Sequence, residues 1–101
     1  MAIIDIMGPS VGAFPVRALL DRIRQLTHEG MIKFAINLGE VKYIDSYGLG
    51  GLAATYNWIE KVGGKIKFFA VHEHLFQILQ RLHLDQVLDI YENEASALAS
   101  F

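Results

Sequence analysis

The chain contains no cysteine. That excludes disulfide staples, thiolate metal sites and cysteine nucleophiles, and it suits a reducing compartment. No cluster of lysine and arginine occurs either. Nine basic residues stand against eleven acidic ones, for a formal net charge of -2. Nucleic-acid binders meet phosphate with a basic stripe, so no nucleic-acid partner is expected. No apolar run approaches the roughly 18–20 residues of a membrane span. Residues 1–7 lack the basic start and the apolar length of a secretory signal. The cytoplasm is therefore the default compartment. No internal repeat, low-complexity tract or linker interrupts the chain.

What is present is enough apolar material for one core. Of 101 residues, 52% are hydrophobic and 20% charged, which places the chain among folded domains and leaves no room for a second core of useful size. A single domain over residues 1–101 is expected.

The hydrophobic period changes repeatedly along the chain. Residues 2–7 are short and rich in isoleucine, as a strand is. Residues 8–14 carry turn formers and read as a loop. Pro15 suits the first turn of a helix, where a missing N–H costs nothing. Val16, Leu19, Leu20, Ile23 and Leu26 follow at helical spacing, and Gly30 closes the element. Over residues 31–38 the period becomes two, with Ile32, Phe34, Ile36 and Leu38 on one face. After a linking stretch, Leu49, Leu52, Ala53, Tyr56 and Ile59 mark a second helix, ended by Gly63 and Gly64. Residues 65–71 read as a third strand. Leu75, Ile78, Leu79 and Leu82 mark a third helix, residues 87–91 a fourth strand, and Asn93 caps a last helix carrying Ala95 and Leu98. This β-α alternation predicts an α/β domain: a largely parallel or mixed sheet of about four strands, with helices packed mainly on one face. Functional groups then belong where strand ends lead into helices, which points to residues 39–50.

In that region stands Ile36-Asn37-Leu38-Gly39-Glu40-Val41-Lys42-Tyr43-Ile44-Asp45-Ser46-Tyr47-Gly48-Leu49-Gly50. It resembles the central signature of STAS domains: an apolar strand ending in Asp/Asn-Leu, a short link, then Asp-Ser-x-Gly at a helix start. Further matches follow in register. Gly63-Gly64-Lys65 resembles the family's helix-ending glycine pair. Leu82-His83-Leu84-Asp85-Gln86-Val87-Leu88 resembles its late apolar passage, and Glu94-Ala95 to Leu98 its closing helix. The resemblance spans residues 31–101 and is to the anti-sigma factor antagonist branch. It implies a STAS-type single domain and a phosphorylation-switched protein-binding module regulating transcription in bacteria. In that branch the serine after the aspartate is phosphorylated by an anti-sigma factor with serine kinase activity and is restored by a serine phosphatase. The unphosphorylated form sequesters the kinase. Carried over by position, the phosphorylation site is Ser46, and Asp45, Ser46, Tyr47, Gly48 and Leu49 are the partner-binding residues. The alternative is a constitutive STAS adaptor subunit of a transport complex or a stress-signalling scaffold.

The residues themselves allow simpler readings. Ser46 is an N-cap candidate at the second helix. Gly48, Gly50 and Gly51 either admit a partner's backbone or let the helix pack on its neighbours. Leu49 and Trp58 are either contacts or core. Three departures from the family pattern stand out. Tyr47 replaces a small hydroxyl residue. The segment Gly8-Pro9-Ser10-Val11-Gly12 carries no acid where many antagonists have Gly-x-x-Asp. The strand that normally precedes residues 2–7 is missing, which predicts an exposed sheet edge suited to a homodimer.

No catalysis is expected, because no credible base, metal cluster or cofactor cradle accompanies Ser46. Gly48-x-Gly50-x-x-Ala53 satisfies the dinucleotide fingerprint, with Glu73 at a fitting distance, but it does not follow its strand directly. His72 and His74 flank Glu73 without a third metal ligand. His28 and His83 suit helix ends. Neither Ser10 nor Ser46 has the partners of a catalytic triad.

Overall fold

The computed structural model describes residues 1–6, 10, 11 and 13–101. The end of the first expected strand and most of the segment 8–12, with its missing acid, lie outside the described residues. Four parallel strands form the main sheet, in the order β1 (Ala2–Asp5), β3 (Lys33–Asn37), β5 (Lys65–Phe69) and β6 (Ile90–Tyr91). Two further short strands, β2 (Ser10–Val11) and β4 (Tyr43–Ile44), pair with each other in parallel. The helices are α1 (Ala13–His28), α2 (Ser46–Lys61), α3 (Glu73–Arg81) and α4 (Glu94–Ala99). A 3-10 turn, Leu84–Gln86, precedes β6.

The alternation along β3 and β5 divides the protein into layers. Phe34, Ile36, Ile66 and Phe68 point to one face and are fully buried. Val16, Leu19 and Ile23 of α1, Leu52 and Ile59 of α2, and Leu75 and Leu79 of α3 cover them. Full burial of each such side chain contributes about 1.5–3 kcal/mol before the entropy of ordering it is counted. The opposite face carries a smaller cluster, Ala35 and Phe69, closed by Ala97 of α4. Three helices therefore lie on one face and a single short helix on the other, as the alternation predicted.

The small face also buries a cation. Lys67 is 8% exposed. Its ammonium lies 5.2 Å from the Tyr91 ring and 5.3 Å from the Phe101 ring. It donates to the Tyr91 hydroxyl at 3.3 Å and stands 3.7 Å from the Asp89 carboxylate. The neighbouring Ser100 hydroxyl and the Lys67 ammonium hold the Tyr91 phenol below the usual tyrosine range.

Two differences from the sequence expectation concern short elements. The segment 8–14 was expected as loop, yet Ser10–Val11 is a strand and Ala13 already opens α1, which leaves Pro15 in the first turn as expected. The fourth strand shrinks from residues 87–91 to Ile90–Tyr91. Leu88 is instead held by an N–H bond to the Leu84 carbonyl and buried under the core, so the apolar pattern there belongs to a turn.

The seating of α2 on α1 depends on one missing side chain. A Cβ at Gly51 would stand 2.9 Å from Val16 Cβ and closer still to Val16 Cγ1, whereas a Cβ at Gly50 would meet nothing within 4 Å. Gly51 thus serves packing, and the Arg24 guanidinium over Trp58, 5.7 Å away, adds a second contact between the same helices. Gly51→Ala is expected to destabilise the domain by about 1–3 kcal/mol, since overpacking outweighs the gain in helix propensity. Gly50→Ala should be neutral or stabilise by up to about 1 kcal/mol. Urea unfolding of the two variants side by side checks this; equal effects would remove the packing role from Gly51.

Candidate functional site

The turn from β3 into α2 is built by side chains that satisfy backbone groups. Asn37, the last residue of β3, accepts the Gly39 N–H at 2.8 Å and donates its own amide to Asp5 of β1 at 2.9 Å. One side chain so ties two neighbouring strand ends and starts the turn. The Gly39 carbonyl accepts from His72 Nε2, 2.6 Å away, which ties the same turn to the start of α3. Val41 is fully buried and anchors the middle of the link. Tyr43–Ile44 then pairs with Ser10–Val11, and Ile44 enters the core.

Asp45 is the N-cap of α2. Its backbone is extended (φ -89°, ψ 179°) and its carboxylate accepts the Gly48 N–H at 2.9 Å. Its carbonyl accepts the Leu49 N–H at 3.0 Å, the first bond of the helix. Ser46 is therefore not the cap; it is the first helical residue, and it is exposed. The cap reading of Ser46 fails for a plain reason. Both residues are good caps, and the backbone places the extended conformation at Asp45. No acidic residue occupies the first turn of α2, so its positive dipole end is offset only by the Asp45 carboxylate at the cap.

The five residues singled out from the sequence split in two. Ser46 and Tyr47 face solvent, Tyr47 with 73% exposure. Asp45 is partly buried with its carboxylate engaged. Gly48 is buried, and Leu49 packs against the core. A residue that the sequence reading passed over joins the exposed pair: Tyr43 is 58% exposed and lies three residues before Ser46. No period marks it: Val41 and Tyr43 share a parity, yet Val41 is buried and Tyr43 is not.

The other candidates fall into ordinary roles. Trp58 is half-buried under Arg24. His72 precedes α3 without capping it. Among the described residues, no three histidine or acidic side chains are grouped closely enough to hold a metal ion. No helix of the described residues is long and apolar enough to cross a membrane.

The cap geometry separates two neighbouring residues energetically. Asp45→Ala is expected to cost about 0.5–2 kcal/mol of stability through the lost cap. Ser46→Ala should stay within about 0.5 kcal/mol of the parent, as its exposed hydroxyl caps nothing. Chemical denaturation at neutral pH reads both; a larger loss at Ser46 than at Asp45 would contradict the assignment of the cap.

The whole arrangement has known counterparts. The chain is 28% identical over 87 residues to the anti-sigma-B factor antagonist of Bacillus subtilis, covering 86% of this chain and 78% of that protein. Its fold matches a sulfate transporter family protein from Wolinella succinogenes at TM-score 0.76, with 22% identity over 98% of this chain and 83% of that one. It also matches the Bacillus cell fate determinant SpoIIAA, solved in its phosphorylated form, at TM-score 0.68, with 16% identity over 96% and 87%. The model of the STAS domain family matches residues 3–97. The chain belongs to the STAS domain family.

Proposed function

We propose that this protein is a bacterial anti-sigma factor antagonist that works in the cytoplasm as a binding module and catalyses nothing. Its unphosphorylated form sequesters an anti-sigma factor with serine kinase activity. That partner phosphorylates Ser46 and is then released, and a serine phosphatase restores the binding form. The observation that carries the reading is the position of Ser46: exposed, first in α2, inside the span matched by the STAS model, and relieved of capping by Asp45. The name of the Bacillus subtilis relative and the phosphorylated SpoIIAA neighbour support it. Tyr47, which follows Ser46 in the chain, and Tyr43, three residues before it, supply exposed aromatic surface, the kind of side chain that anchors interfaces. Among the described residues β1 is an outer strand of the sheet, and its edge, where Ile3 is half-exposed, is where a homodimer would pair.

A phosphate on Ser46 adds about -1.5 to -2 charges at a helix N-terminus, where the dipole favours them. Against a partner surface shaped for a neutral hydroxyl, the same charge costs several kcal/mol, on the order of a hundredfold or more in affinity. With the cognate anti-sigma factor in hand, Ser46→Ala is expected to bind as the unmodified protein does and to resist phosphorylation. Ser46→Asp should stay folded and bind more weakly. The phosphorylated protein should lose about a hundredfold in affinity with its thermal midpoint little changed. Calorimetric titration, intact-mass measurement and thermal unfolding on the same samples test this. Equal binding by phosphorylated and unmodified protein would replace the switch with a constitutive adaptor.

A further inference from the structure

A second site lies at the carboxyl end of the sheet, where the topology itself opens it. After β5 the chain passes into α3 on the large face, since Leu75 and Leu79 pack with Phe68. After β6 it passes into α4 on the opposite face, since Ala97 packs with Ala35 and Phe69. β5 and β6 are neighbours. Two adjacent parallel strands whose exits diverge to opposite faces leave a crevice at their carboxyl ends, the place where open α/β sheets take ligands. A cleft of about 270 Å³ lies there, lined by Val71, Phe76, Ile90, Tyr91 and Glu92. Ala70, held in the left-handed region at φ 62°, turns the chain out of β5 immediately before Val71 and so helps part the two exits.

The lining specifies a chemistry. Val71, Phe76 and Ile90 give apolar walls, and Tyr91 adds an aromatic ring. Glu92 is the one acidic residue among the five, and it is exposed. A cavity of about 150 Å³ with such walls holds a benzene ring. The larger volume here admits a ring with a short side chain, and the carboxylate favours a cation at the end of that chain while repelling an anion. We infer that this cleft is a binding site for a small aryl-alkyl amine, its ring between Phe76 and Ile90 and its ammonium at Glu92.

Phenethylamine and phenylacetate are matched probes, alike in shape and opposite in charge. Titrated into nitrogen-15-labelled protein, phenethylamine should shift the amides of Val71, Phe76, Ile90 and Glu92 saturably. A dissociation constant on the order of 1 mM is expected for so small a ligand. Phenylacetate should bind about fivefold or more weakly. Glu92→Gln, a change at an exposed position, should weaken phenethylamine by about two- to fivefold and narrow the gap between the probes. Val71→Phe, which fills the cleft, should abolish the shifts at the remaining residues while thermal unfolding shows the domain intact. The proposal is overturned if phenethylamine gives no saturable shift at these amides by about ten times the expected constant. It is equally overturned if phenylacetate binds as well, or if Glu92→Gln leaves the difference unchanged.

Discussion

The rest of the structure depends on β3 being paired in parallel on both sides, with β1 and with β5. A parallel neighbour cannot be reached by a tight turn; each pairing requires a crossover. The buried residues Phe34, Ile36, Ile66 and Phe68 draw those crossovers to one face. Helices on that face must run back toward the amino ends of the strands. The far end of α2 shows it: Gly64 packs against the Ile32 carbonyl, and the Lys65 N–H bonds to that oxygen at 2.8 Å. The other end of α2, with Asp45 and Ser46, is thereby sent to the carboxyl end of the sheet. Asp5, Asn37, Gly39 and His72 gather at the same end and brace the turn by their hydrogen bonds. The position of the candidate site is a consequence of strand direction.

Most of the fold was legible because its long elements carry a clean period. Residues 31–38 alternate, and α1, α2 and α3 repeat at helical spacing over two turns or more. The misses are physical. A two-residue strand has no period, and β2 and β4 exist only because residues far apart in the chain meet. Val87 and Leu88, just after the 3-10 turn at Leu84–Gln86, look like strand, yet their N–H groups bond back to the Leu84 carbonyl. The burial of Lys67 has no signal in its own strand, because it depends on Tyr91 and Phe101, which arrive from 24 and 34 residues later.

The residues of the turn into α2 could be named from the sequence, but not which of them caps the helix, which is exposed and which is core. Asp45 and Ser46 are both favoured caps, and a boundary displaced by one residue exchanges their roles. Nothing local separates Gly48, Gly50 and Gly51 either. Gly51 becomes a packing residue only because Val16 of α1 lies opposite, while Gly50 faces open space. The same rotation of α2 turns Leu49 to the core and Tyr47 to solvent. Helix orientation decides which member of a motif is left to solvent, and that orientation is set by contacts with α1 and β5.

That division of labour matters for how a charge at Ser46 would act. Were Ser46 the cap, a phosphate would replace a bond to the helix and alter the fold directly. With Asp45 in that role, the hydroxyl carries no structural duty, and its modification leaves the Gly48 N–H satisfied. Two opposing local terms remain. Repulsion between the phosphate and the Asp45 carboxylate is on the order of 1 kcal/mol when both are hydrated. The helix N-terminus returns about 0.3–1 kcal/mol. These nearly cancel, so the isolated domain hardly registers the added charge. An apposed partner removes the water that weakens the repulsion and leaves the phosphate oxygens without hydration, at a cost several times larger. On the proposed switch, the difference between those two environments, and not any change of shape, would let one hydroxyl at the start of α2 govern binding.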